Sequence, residues 1–198
     1  MIAPAFVRPR VPARPVPRLH DVDAGAAVRV ATRLPPFLLA AVVLHTAVLP
    51  QVRPLDVGAD GMLLLAVAAG LVGGPSTGAW MGFATGLLAD CFLATPFGLS
   101  ALAYGIAGWA VGIVVGRLLR PGWWMVPATA LVASAAGVGL FAALGALLGE
   151  GGLAPGRLVA VAVGVGVLNA LLSPAAVAAV RWAVGPGRRP LPLLEGGR

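Results

Sequence analysis

The sequence predicts an all-α integral membrane protein, folded as a bundle of six transmembrane helices. Three observations carry that reading. Of 198 residues, 59% are hydrophobic and 11% charged, with a mean hydropathy of +0.95, too apolar for an ordinary soluble domain. The apolar residues gather into segments that approach the roughly 20 residues a helix needs to cross a bilayer. Between them stand short stops such as Gly73-Gly74-Pro75 and Thr95-Pro96-Phe97-Gly98, whose backbone freedom and missing donors end helices.

Charge refines the class. All fourteen basic residues are Arg, giving a net charge of +7. They flank the apolar segments instead of forming one basic face, so anionic lipid and topology account for them, and nucleic acid is not an expected partner. Cys91 is the sole cysteine, which leaves no internal disulfide and no multi-cysteine metal site.

Taken in order, residues 1–34 read as a disordered cytoplasmic tail. Pro4, Pro9, Pro12, Pro15 and Pro17 oppose a continuous helix, and six arginines keep the stretch solvated. It has no apolar core of the kind a secretory signal carries. Residues 35–184 form the transmembrane domain, with spans expected at 36–51, 57–73, 76–94, 99–119, 123–149 and 155–184, and 185–198 form a cytoplasmic C-terminal tail. Pro36 suits a first helical turn. Trp123 and Trp124 suit an interfacial belt at the start of the fifth span. The sixth is long enough to require tilt or a kink at Pro174. With six spans, twelve arginines fall on the side of both termini, against Arg53 and Arg157 opposite. That split puts both termini in the cytoplasm, whereas five spans would spoil it.

The stretch from Ser76 to Gly116 organises the rest. Gly78, Gly82 and Gly86 recur at four-residue spacing before the break, as do Gly108, Gly112 and Gly116 after it. Such spacing lets helix backbones approach closely in a membrane, and within one chain it builds the internal bundle more often than a dimer face. Ala162, Gly166 and Ala170 repeat the pattern near the end of the chain. The third and fourth spans are therefore expected to form the stable centre.

Few residues could carry chemistry. Asp90 is an acid in an apolar helix, at a cost of about 2.5–3.5 kcal/mol at bilayer centre. It either hydrogen-bonds the turn at Thr95 and the following helix, or serves as a proton or ion site or a contact to a partner helix. His45 and Asn169 read as hydrogen-bonded packing residues, and an Asp90–His45 pair stays open. Cys91 reads as a small buried residue, and Trp80, Trp109 and Tyr104 as interface anchors or gap fillers. No phosphate loop, metal-ligand cluster or nucleophile–base spacing appears, so no enzyme and no cofactor are expected.

The run from Asp60 to Leu118 resembles the MreD family of rod shape-determining membrane proteins. The residues carrying the resemblance are Asp60-Gly61-Met62-Leu63-Leu64, Gly82 to Gly86 with Leu87-Leu88-Ala89-Asp90, Pro96-Phe97-Gly98-Leu99, and then Ala101, Tyr104 and Gly108. The resemblance implies a non-enzymatic scaffold in the bacterial cytoplasmic membrane. It also implies MreC, the glycosyltransferase RodA and its penicillin-binding transpeptidase as partners, with MreB filaments on the cytoplasmic side. The family is similar in fold to the six-helix substrate-binding S-components of energy-coupling-factor vitamin transporters. That similarity gives the competing function, a small-molecule transporter subunit. Such a subunit needs an outward cavity with polar groups, for which Asp90, Thr95, Ser100 and Tyr104 are available, with Asn169 deeper.

Overall fold

A computed structural model describes residues 19–48, 51, 58–93, 96–117, 124–151 and 154–185. They form α1 (Leu19–Val43), which runs on into a π-helical turn (Leu44–Val48), then α2 (Gly61–Asp90), α3 (Leu99–Gly116), α4 (Met125–Leu147) and α5 (Pro155–Val184). There is no strand among the described residues. Among the described residues five helices, with α2 counted as one, are long and apolar enough to cross a membrane, the make-up of a multi-pass membrane protein.

α2 is not one rod. Gly74 sits at φ +80°, outside helical space, and divides it into arms 61–73 and 75–90. A side-chain carbon placed on Gly78 would lie 2.8 Å from the Cα of Gly70, although eight residues of straight helix span about 12 Å. Met62 and Ala89, from opposite ends of α2, share one core cluster with Ala103 and Tyr104. The chain therefore doubles back at Gly74 as a helical hairpin. The Thr77 hydroxyl donates to the Gly73 carbonyl at 3.0 Å and satisfies an acceptor at the break. Thirteen and sixteen residues make arms of about 20 and 24 Å. Each is short of the roughly 30 Å hydrocarbon core, so the expected sixth crossing is not a separate helix of spanning length.

Other boundaries move for local reasons. The first helix begins at Leu19 instead of residue 36 and passes through Pro35 and Pro36, so residues 19–34, expected as tail, are helical. That stretch is rich in Ala and free of Pro once Pro17 is passed. The first arm of α2 starts at Gly61, not 57, because Asp60 caps it, and the second ends at Asp90, not 94. α3 to α5 fall within two or three residues of expectation. α5 runs through Pro174, which withdraws the N–H that the Ala170 carbonyl would have accepted. The Ser173 hydroxyl donates to that carbonyl instead, at 2.7 Å. The tail up to residue 18, the connections at 52–57 and 118–123, Thr95 and the tail beyond 185 lie outside the described residues.

The first arm of α2 is the centre of the bundle, with 62–70 buried throughout. α3 lies along the hairpin with almost nothing between the backbones. A side-chain carbon on Gly70 or Gly78 would strike the Gly108 carbonyl, one on Gly82 the Tyr104 carbonyl, and one on Gly86 the Ser100 carbonyl. Gly112 faces the Gly74-Pro75 backbone in the same way, whereas Gly116 lies past the hairpin tip and meets nothing within 4 Å. α4 and α5 close the other side, with Gly137 against Leu63 and Gly166 against the Leu131 carbonyl. α1 packs through Leu34, Phe37 and Leu38 near Val177 and Val180 of α5. The Arg33 guanidinium donates to the Trp182 carbonyl at 3.1 Å and lies 5.3 Å from the Trp182 ring centre.

Candidate functional site

The polar groups collect at the end of the bundle away from the hairpin tip. Here Asp60 opens α2, Asp90 closes it, and α3 begins. Asp90 is buried, and its carboxylate accepts three backbone N–H groups: Gly98 to Oδ2 at 2.9 Å, Ser100 to Oδ1 at 3.0 Å and Ala101 to Oδ2 at 3.3 Å. The first N–H groups of a helix have no partner within it, and the helix dipole there favours an anion. Asp90 thus caps α3 from a neighbouring helix. The remaining early donors are also placed, Leu99 on the Pro96 carbonyl at 3.2 Å and Leu102 on that of Gly98 at 3.0 Å. Pro96 thereby shapes the turn through its carbonyl. Gly98, at φ +97°, takes a left-handed conformation that L side chains resist.

Asp60 does more than the sequence reading gave it. Its Oδ1 accepts the Leu63 N–H at 3.0 Å, capping α2, and its Oδ2 accepts the hydroxyl of Tyr104 from α3. Its carbonyl accepts both the Leu64 N–H and the Asn169 side-chain amide, each at 3.0 Å. Asn169 also donates to Ser134 Oγ at 2.9 Å. One residue thus ties α2 to α3 directly, and to α5 and α4 through a single buried amide. Asn169 behaves as an interhelical hydrogen-bonding residue, and Tyr104 is a buried strut in this network. An Asp immediately before an apolar run is an N-cap signal, which would have marked Asp60 had the second span not been started at residue 57.

His45 lies in the π-helical turn and does not pair with Asp90, whose hydrogen bonds all go to backbone. Instead, a cavity of about 570 Å³ brings His45 together with Asp60 and Tyr104, beside Thr46, Phe92 and Phe141. His45 Nδ1 is closed off from solvent and has no hydrogen-bond partner among the described residues. Of the described groups expected to furnish an outward cavity, Tyr104 lines it and Asp90, Ser100 and Asn169 do not; Asp60 stands in place of Asp90. Cys91 is exposed, its thiol 3.4 Å from the Leu87 carbonyl. That corrects its reading as a buried residue: it follows the last turn of α2, beyond the packed seam.

On the outer side of the second arm and α3, Trp80, Phe83, Leu102, Ile106 and Trp109 are exposed, Trp80 and Phe83 packing edge to face at 6.4 Å. Among the described residues no group of three His, Cys, Asp or Glu is placed to hold a metal ion. Comparison with protein-family models, curated proteins and solved structures finds no match for this chain.

Proposed function

We propose that this chain is a non-enzymatic scaffold subunit of the MreD type in the cell-wall elongation complex of the bacterial cytoplasmic membrane. Its partners are MreC, RodA with its penicillin-binding transpeptidase, and MreB filaments on the cytoplasmic side. The observation that carries the reading is the use made of Asp60 and Asp90. The two acids within the resembling stretch are engaged by the chain's own helix starts and by Tyr104. They build a rigid unit of hairpin and α3, and that unit turns an apolar, aromatic face outward, as a docking subunit requires.

In this reading the chain crosses the membrane six times, the hairpin supplying two short crossings. A hairpin contributes an even number whichever depth its tip reaches, so both termini share one side. Arg33, Arg117 and Arg181 fall at the tip end of the bundle, against Arg157 at the other. This supports a cytoplasmic tip and cytoplasmic termini.

A second reading, a ligand-capturing subunit similar to transporter S-components, is favoured by the cavity beside Asp60. Affinity purification of the tagged protein from native membranes in mild detergent, with mass spectrometry of what accompanies it, separates the two. Recovery of MreC, RodA or a penicillin-binding transpeptidase is the expected result. Recovery of a transporter's coupling subunit and ATPases in their place would overturn the scaffold reading.

A further inference from the structure

The cavity at the polar end has a chemistry of its own, independent of what docks on the outer face. Its volume of about 570 Å³ falls within the range of small-molecule pockets, about 300–1,000 Å³. The described residues on its wall that carry polar side chains are Asp60, Tyr104, His45 and Thr46. Tyr104 already spends its proton on Asp60, and Thr46 spends its own on the Val42 carbonyl at 2.8 Å. What they have left is lone pairs. Among the described lining residues Asp60 is the one acid, and none is Lys or Arg. The described wall thus offers a ligand an acidic side chain and acceptor oxygens.

The rest of the lining is apolar. Val138, Phe141, Val161 and Val165 form the interior, and exposed Phe92 and Leu93 stand at the rim. Aromatic faces next to an acid favour an organic cation, by ring quadrupole as well as by charge. His45 sits where the helix widens into a π turn, a distortion frequent at functional sites.

We infer that this cavity binds a small organic cation, an ammonium or related donor group on an apolar body. The cationic group meets Asp60 and Tyr104 with His45 beside them, and the apolar body fills the space between Phe141 and the α5 valines. The site does not depend on the scaffold reading, since its residues lie at the polar end of the bundle and the aromatic docking face runs along the outer side of the second arm and α3.

The test uses the full chain purified in mild detergent and three probes of similar size and different charge: 2-phenylethylammonium, 2-phenylethanol and phenylacetate. Saturable binding is followed by calorimetry and by the rise in melting temperature. The ammonium compound is expected to bind at least ten-fold more tightly than the alcohol or the acid. Val161→Phe, which fills the cavity and leaves every hydrogen bond of Asp60 in place, is expected to weaken that binding ten-fold or more while the protein still melts cooperatively. Asp60→Asn should abolish the charge preference where the variant folds. Absence of saturable binding by the ammonium compound, equal binding of all three, or undiminished binding in folded Val161→Phe would each overturn the inference. Partner recovery from native membranes is read separately, so either result can fail without the other.

Discussion

The hairpin–α3 unit and the α4–α5 pair are both made of apolar helices with small residues at their contacts, yet they are held in different ways. In their most apolar stretches, 56% of the residues of α2 and 44% of those of α3 are buried, against 22% for both α4 and α5. The first pair meets backbone to backbone, with Gly70, Gly78, Gly82, Gly86, Gly108 and Gly112 each against main-chain atoms. Its open end is closed by two carboxylates. The second pair has one comparable point, Gly166 over the Leu131 carbonyl at 2.8 Å, and turns Leu131, Val132, Val163, Val167 and Leu171 outward. Lipid is as apolar as leucine, so close packing and internal hydrogen bonds are what hold helices together in a membrane. The unit that has both is the rigid one.

This contrast can be broken in graded steps, all measured as thermal unfolding of the purified protein in detergent. Gly112→Leu drives a side chain into the Gly74-Pro75 backbone and should cost more than about 3 kcal/mol or prevent folding. A variant as heat-stable as the parent would mean that α3 is not clamped at the hairpin tip. Asp90→Leu strands three amides at the start of α3 and should cost about 3 kcal/mol, with Asp90→Asn milder because it keeps an acceptor. Tyr104→Phe removes one hydrogen bond to a carboxylate, worth about 1.5–3 kcal/mol. In the looser pair, Gly166→Ala meets a single carbonyl and should cost about 1 kcal/mol. Gly116→Ala, in open space, should stay within about 0.5 kcal/mol of the parent. Equal effects of Gly166→Ala and Gly112→Leu would erase the distinction between the two regions.

What the sequence made legible were the features written in neighbouring residues. Gly73-Gly74-Pro75 announces a reversal, and the glycine spacing announces a close helix contact. Asp90 stands out because an acid in an apolar helix demands a partner, and its partners lie eight to eleven residues away. The rest depends on distant parts of the chain meeting. Tyr104 reaches Asp60 across 44 residues and Asn169 reaches it across 109, contacts that exist only once the hairpin has closed and α5 has docked. The cavity is of that kind as well, since His45, Asp60 and Phe141 are brought together by three different helices. Asp60 is an N-cap signal only for a helix that starts at Gly61, four residues after the expected start at 57. Gly116 shows the converse: it continues the spacing pattern but lies beyond the helix that the pattern serves.

The doubling back of residues 61–90 underlies the shared core of Met62 and Ala89, the joining of Asp60 to the α3 end, and the even number of crossings. Electron-electron spin distances test it directly. Cys91 is the only cysteine and is exposed, so Ala59→Cys supplies the second label position in an otherwise native chain. Packed helices lie about 8–10 Å apart, and a hairpin should bring the two labels within about 20 Å. A single straight helix would hold them about 48 Å apart at 1.5 Å per residue, and a distance near that value would contradict the hairpin and the topology built on it.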